Sequence, residues 1–417
     1  MYSGIEYDRA ASDSELYSWD HFETFAKVDG NDSDLALVKS LKNDADYVGR
    51  ELTTRVSVPG NIHRLQFRQF WMEILNCSDL IKNTICDGYS LPFVTVPPPS
   101  FESNNRSAME DMPFVRAEVA RLEALGCIKK VKNRPRCVLP LSSVFSKKKR
   151  LVVDASRCLN PYLQHRHVRL QDHRDVPELV REGDFMMTDD LDSGYWHLAV
   201  NPDFYTYLGI HIEEEDGSSS FYVWVVLFLG ISDAVFIFTS LLRPIISHLH
   251  SGGFRCIIYI DDLFTVGDSL DNVLVCNSAA NTALAAAGWV VSPEKRGGPQ
   301  QRLPFLGLEV CSTSSKFYIP EKKMTKLKEK ICVALNSRGH IRLKEVASIV
   351  GLLQSCARAL GPVVRIMTRT CYGWLKKNLE RVSWNGYAAF PGNCREELSF
   401  WIDNIEILNG FLFSSRK

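Results

Sequence analysis

The sequence predicts a mixed α+β fold, and three observations carry that expectation. Residues 256–267 (CIIYIDDLFTVG) set two apolar runs around adjacent acids, the pattern of a β-hairpin with Asp261 and Asp262 at its turn. Residues 185–200 (FMMTDDLDSGYWHLAV) repeat the theme, an apolar strand that ends in acids, among them Asp190. Residues 108–126, 272–288, 322–335 and 343–360 read as helices, from apolar residues at helical spacing or from an alanine-rich run.

The hairpin is where chemistry enters. Successive side chains of a straight strand point to opposite faces, so neighbouring carboxylates can serve one ion only where the chain bends. A tight turn supplies the bend. Uncompensated carboxylates beside Ile257, Ile258 and Ile260 would repel each other and resist desolvation, and a cation relieves both. Oxygen-only ligands suit Mg²⁺ or Mn²⁺. The alternative for the acid pair alone is a solvated turn.

Size and composition narrow the classes. A chain of 417 residues has room for several compact units of about 100–200 residues each. Its hydrophobic share of 45% excludes wholesale disorder. The formal net charge of zero hides a segregation: residues 1–60 carry 12 acidic and 6 basic side chains, whereas residues 319–381 carry 14 basic and 4 acidic. The twelve cysteines form no CxxC pair or zinc-knuckle pattern, which points to a reduced intracellular chain, cytoplasmic or nuclear. The N-terminus lacks a basic region followed by an apolar one, so no signal peptide is expected. Residues 221–246 are nearly all apolar, but a central Asp233 costs about 2.5–3.5 kcal/mol in a membrane span, and a buried strand and helix are expected instead. No Walker A loop, HExxH or nucleophile elbow is present, and no internal repeat.

In chain order, residues 1–62 read as an acidic, flexible leader. A short amphipathic helix after Arg64 leads to a proline stop near residue 97, and Gly126 is a plausible cap for the helix over 108–126. Residues 129–157 are the first basic segment, with strand-like runs flanking Lys147, Lys148, Lys149 and Arg150 on a hairpin. That hairpin is either a solvated basic turn or a clamp on a triphosphate or template backbone. Asp192-Ser193-Gly194 matches the DSG of retroviral-type aspartic proteases, but Tyr195-Trp196 follows where small residues are usual. His197 reads as a core or edge histidine. Residues 293–295 are expected to open a loop and residues 305–310 (FLGLEV) to form a strand.

Taken in order, these segments resemble the boxes of reverse transcriptases, most closely those of the DIRS-type, tyrosine-recombinase-bearing retrotransposons. Residues 144–160 (VFSKKKRLVVDASRCLN) are similar to the fingers hairpin, and Asp190 to Tyr195 to the box with the first metal aspartate. Residues 227–244 (LFLGISDAVFIFTSLLRP) resemble the LPFGLSSAP box, Tyr259 to Asp262 the YxDD box, Lys295 the later lysine box, and residues 305–310 the primer-side FLG strand. The DIRS-like hints are residues 104–108 (NNRSA), 361–368 (GPVVRIMT) and 396–410 (EELSFWIDNIEILNG). Phe228 and Val235 depart from the prolines usual in their box, and the fingers loop is short.

The resemblance implies a right-hand polymerase with an antiparallel palm sheet and helices packed on one face: fingers and N-terminal segment over 63–185, palm over 186–315, basic helical thumb over 316–380. Residues 381–417 would be a connector toward a ribonuclease H domain, of which the sequence carries no sign. Asp190, Asp261 and Asp262 would hold two Mg²⁺ or Mn²⁺ ions. Lys148, Lys149, Arg150, Tyr195, Gly230 and Lys295 would meet the incoming dNTP, with Tyr195 crowding a ribose 2′-hydroxyl and Lys295 an acid for the pyrophosphate or a plain surface lysine. Lys322, Lys323, Lys326, Arg342 and Arg358 would grip an RNA or DNA template-primer. The implied function is RNA-directed DNA synthesis for a retroelement, with no membrane partner; a decayed or domesticated relative that binds nucleic acid without copying it is the alternative.

Overall fold

The computed structural model describes residues 58–145, 148–214, 216–337 and 339–413. The leader expected over 1–62 lies outside these except for residues 58–62, and Lys147 lies outside them too.

The central sheet has four antiparallel strands in the order Val291–Gln300, Phe185–Leu191, Asp262–Gly267, Arg255–Tyr259. Along Arg255–Tyr259 and Asp262–Gly267 adjacent apolar side chains enter opposite cores, as the two-residue period of a strand dictates. Ile258 pairs with Leu263, and both enter a core shared with helices Ala234–Ser251 and Leu270–Ala286. Ile257 pairs with Phe264, one residue out of phase, and both enter a second core built with the C-terminal helices. The sheet therefore divides the two cores. Small residues Ala279, Ala280 and Ala283 are buried on the helix that covers its first face. Ser269 caps that helix by accepting from the Asn272 amide at 3.2 Å.

A five-stranded sheet (order Ser100–Phe101, Cys137–Val138, Gly209–Glu213, Ser219–Trp224, Ile128–Val131) and the two-stranded hairpin Leu141–Phe145 with Lys149–Val153 lie on the N-terminal side. The expected helix over 108–126 is split into Arg106–Met109 and Met112–Leu125. Pro113 explains the break, because proline is tolerated only in a helix's first turn. Gly126 closes the second piece in the left-handed conformation, φ 79°.

The apolar stretch over 221–246 resolves into the strand Ser219–Trp224, a loop, and the helix Ala234–Ser251. No helix among the described residues is long and apolar enough to cross a membrane. Three further expectations are corrected. The helix expected over 343–360 is two, Leu343–Ser355 and Ala357–Leu360. Residues 305–310 are not one strand but a hairpin, Arg302–Phe305 with Leu308–Cys311, turning at Leu306 (φ 46°) and Gly307 (φ 77°). Residues 293–295 do not open a loop; they lie within the strand Val291–Gln300.

Helices Glu321–Leu335 and Leu343–Ser355 bury Met324, Leu327 and Ile331, and Val346, Ile349, Val350 and Leu353, at helical spacing. Helix Gly392–Leu408 adds Trp401 and Ile405 to the same core, and Phe411–Leu412 pairs with Lys316–Tyr318. All twelve cysteines are unpaired thiols.

Candidate active site

Register brings the acids together. Asp190 and Asp262 are directly opposed across the Phe185–Leu191 and Asp262–Gly267 pair, and the Asp261 carbonyl accepts from the Leu191 amide at 2.9 Å. Asp190, Asp261 and Asp262 each offer an oxygen, all within 4.8 Å of one another. Tyr259 pairs with Asp262, so Ile260 and Asp261 form a two-residue hairpin loop. Ile260 takes φ 55°, a conformation that costs a β-branched residue about 1–3 kcal/mol. Packing holds it there: Tyr259 rests on the core built with the C-terminal helices and Ile260 on the core shared with helices Ala234–Ser251 and Leu270–Ala286.

Half-buried carboxylates at such spacing resist ionisation together. Burial, then the negative charges of Asp261 and Asp190, push the Asp262 carboxyl up to about 6. Burial also raises Asp261, Asp190 adds to this, and Lys295 opposes it. An all-oxygen, convergent and electrostatically frustrated donor set fits a hard divalent cation such as Mg²⁺ or Mn²⁺. The Lys295 ammonium is ion-paired with Asp190, a contact that holds its own proton more tightly.

Asp189, next in sequence to Asp190, points to the opposite face and is fully buried. It accepts from Asn277 Nδ2 at 2.5 Å, Asn281 Nδ2 at 3.2 Å and Arg296 Nε at 2.7 Å. The strand that carries Asp190 is thereby fixed to the covering helix and to its neighbour strand. Sequence reasoning missed this network. The signal for it was the Asp189-Asp190 pair itself, since a strand interior can send only one of two adjacent acids toward an open face.

A second buried cluster also went unread. Asp233, with a side chain 0% exposed, takes Arg166 through both oxygens (Nε to Oδ1 at 2.8 Å) and receives the Tyr89 hydroxyl. Arg166 also lies 4.2 Å from the Phe236 ring centroid. The cluster fastens the start of helix Ala234–Ser251, and the loop before it, to the N-terminal segment.

Tyr195 sits in the short helix Gly194–His197, its ring stacked on Phe238 at 4.6 Å. Burial and the nearby Asp261 charge push its hydroxyl up to about 12, so it stays neutral. Gly194 and Ser193 of the DSG match belong to this turn, where a Cβ on Gly194 would meet Phe238 at 2.8 Å. Gly230 takes φ 133°, and a Cβ there would lie 2.5 Å from the Val153 carbonyl, so the close approach it permits is from the fingers hairpin. Asn160 clamps the same loop, donating to the Gly230 carbonyl at 2.9 Å and accepting from the Ser232 amide at 2.9 Å.

Strand alternation separates the fingers cations. Lys148, Lys149 and Arg150 are all exposed, but Lys149 shares a face with Leu151 and Val153, pairs with Asp111 at 2.8 Å and lies over Phe114. Of the basic residues expected to grip a template-primer, Lys322, Lys326 and Arg358 are exposed. Lys323 donates to the Gly307 carbonyl at 3.1 Å, and Arg342 donates to the Tyr387 hydroxyl at 2.9 Å while stacking on its ring.

Residues 128–310 match the sequence profile of the family described as reverse transcriptase (RNA-dependent DNA polymerase). No curated protein sequence matches the chain. Among solved structures, the foamy viral protease-reverse transcriptase with RNA/DNA hybrid is similar at TM-score 0.62 and 17% identity, over 84% of this chain and 47% of that one. Two structures of foamy viral protease-reverse transcriptase with double-stranded DNA are similar at TM-score 0.61 and 17% identity, one over 84% of this chain and 61% of that one, the other over 98% and 75%. The chain thus spans 61% and 47% of the length of two of these relatives. Residues 128–310 thus match the reverse-transcriptase family, and the chain shares the fold of the foamy viral protease-reverse transcriptase structures.

Proposed function

We propose that the chain is an RNA-directed DNA polymerase of a retroelement, a nucleotidyltransferase that extends a primer 3′-hydroxyl with dNTPs on an RNA or DNA template. The observation that carries this reading is the opposition of Asp190 and Asp262 beside the Asp261 turn, which converges acids from distant segments on one point. The hints at 104–108, 361–368 and 396–410 favour the DIRS-type group, acting inside the cell.

Asp190, Asp261 and Asp262 would together hold the divalent ions. Such ions, when bound, supply charge stabilisation to the attacking 3′-oxygen and the leaving pyrophosphate. The protein's own part is positioning. Arg150, on the exposed face of its strand, would hold the triphosphate bidentately, with Lys148 beside it. Tyr195, rigid against Phe238, would exclude a ribose 2′-hydroxyl. Gly230, packed against the Val153 carbonyl, would shape the loop that meets the incoming nucleotide. Lys322, Lys326 and Arg358 would contact duplex phosphates, with affinity that falls as salt rises.

Primer extension on a homopolymer RNA template with Mg²⁺ or Mn²⁺ tests the reading. Template-dependent incorporation is expected. Duplex binding without incorporation would mean a decayed, binding-only relative.

A further inference from the structure

The strand Val291–Gln300 pairs irregularly with Phe185–Leu191, its register shifting between Ser292 and Gly297. That irregular stretch holds two consecutive cations, Lys295 and Arg296, which answer two consecutive acids on opposite faces. Arg296 meets the buried Asp189, and Lys295 meets Asp190 in the cleft. The two pairs differ in kind. Asp189 has two asparagine donors besides Arg296, and its pair with Arg296 is structural. Lys295 is 60% exposed, reaches a residue of the acid triad, and makes no comparable set of contacts.

We propose that Lys295 is a built-in counter-ion of the Asp190–Asp261–Asp262 triad, occupying Asp190 while the site holds no divalent ion and released when one binds. This rests on the reading of the triad as a metal site. The physical argument is exclusion: a carboxylate oxygen bonded to an ammonium is not free for a cation, and the positive charge itself disfavours a second one nearby. Lys295 would then set the divalent-ion affinity, holding the acids together in the empty state and making ion entry an exchange of one cation for another. The exposed side chain can leave without disturbing the core.

Two measurements on the whole chain, without nucleic acid or nucleotide, test this. Mn²⁺ affinity, read from the electron paramagnetic resonance signal of free Mn²⁺, should be about 1.4- to fivefold tighter in Lys295→Met than in the wild type, the range expected for an exposed ion pair. Lys295→Arg, which keeps the charge, should return it toward the wild-type value. Amine-directed labelling of Lys295, read by mass spectrometry, should rise when Mn²⁺ is added to the wild type and stay flat in Asp261→Asn. Unchanged or weaker Mn²⁺ binding in Lys295→Met, or labelling indifferent to Mn²⁺ while the wild type binds it, overturns the counter-ion role and leaves the metal site standing. Absence of Mn²⁺ binding in both wild type and Lys295→Met overturns both.

Discussion

Asp262 faces Asp190 across the sheet and follows Asp261, so its carboxyl meets two negative neighbours in a half-buried setting that raises it to about 6. An ordinary aspartate titrates near 4, so between about pH 4 and pH 6 the folded chain holds a proton that the unfolded chain has released. Charged Asp262 therefore weakens the fold above pH 6, and the weakening fades as the pH falls toward 4. Discounted for solvent screening, Asp262→Asn should stabilise the metal-free chain by about 1–2 kcal/mol at pH 7.5 and leave it unchanged near pH 4. Urea denaturation in the presence of a chelator reads this difference, and added Mn²⁺ should shrink it. Equal stabilisation at both pH values would exclude charge as the cause. The triad was legible because its residues break a rule that strands otherwise keep, ionisable groups set in apolar runs. Asp189 and its asparagine partners were not, because its donors come from a helix and a strand about 90 to 107 residues away. Lys295 was legible as a named position, yet its contact with Asp190 depends on a register shift that no periodicity announces.

Elements position these residues through a few buried polar joints. Asp233 is the clearest, since it ties Arg166 and Tyr89 to the start of helix Ala234–Ser251 and so fixes the loop that carries Gly230. Removing one partner strands a buried charge, which costs about 3–5 kcal/mol. Arg166→Met should thus destabilise the chain by about that amount in denaturant, while Asp233→Asn in the same background recovers part of the loss by removing the orphaned charge. Full loss in the double variant would mean that packing, including the Arg166 contact with Phe236, dominates. The helix end at Gly126 followed from the sequence, but the helices read over 108–126 and 343–360 are each split in two, and residues 305–310 read as one strand until Leu306 and Gly307 proved to turn. A single apolar run gives no sign of a bend inside it when the turn uses a leucine at positive φ.

At the scale of the whole molecule, the palm sheet separates two cores, and the acid turn straddles them through Tyr259 and Ile260. Acid should disturb this arrangement through the buried histidines. His197 donates from Nδ1 to the Gly194 carbonyl at 3.1 Å and accepts from the Val290 amide through Nε2 at 3.0 Å, a pattern that the neutral ring satisfies. Burial lowers it to about 4, so its contribution to stability is complete above about pH 6.5 and is lost as the pH falls toward 4, on the order of 3 kcal/mol in full. A thermal unfolding series between pH 7 and pH 4 should show this fall, and His197→Gln should flatten it; an equally steep fall in the variant would assign the acid sensitivity elsewhere. The division into cores was invisible in composition, because both draw on the same residue types and only the pairing Ile257 with Phe264 and Ile258 with Leu263 sorts them.

The proposed polymerase activity rests on three acids that meet at one point of the central sheet. Single-nucleotide incorporation by the wild type and by Asp261→Asn on an RNA-templated DNA primer, with duplex affinity measured on the same samples, addresses it most directly. The account predicts incorporation by the wild type, a loss of at least about a thousandfold in the variant, about 4 kcal/mol of lost transition-state stabilisation, and duplex affinity unchanged within about twofold. Incorporation by Asp261→Asn at a rate near that of the wild type would contradict it.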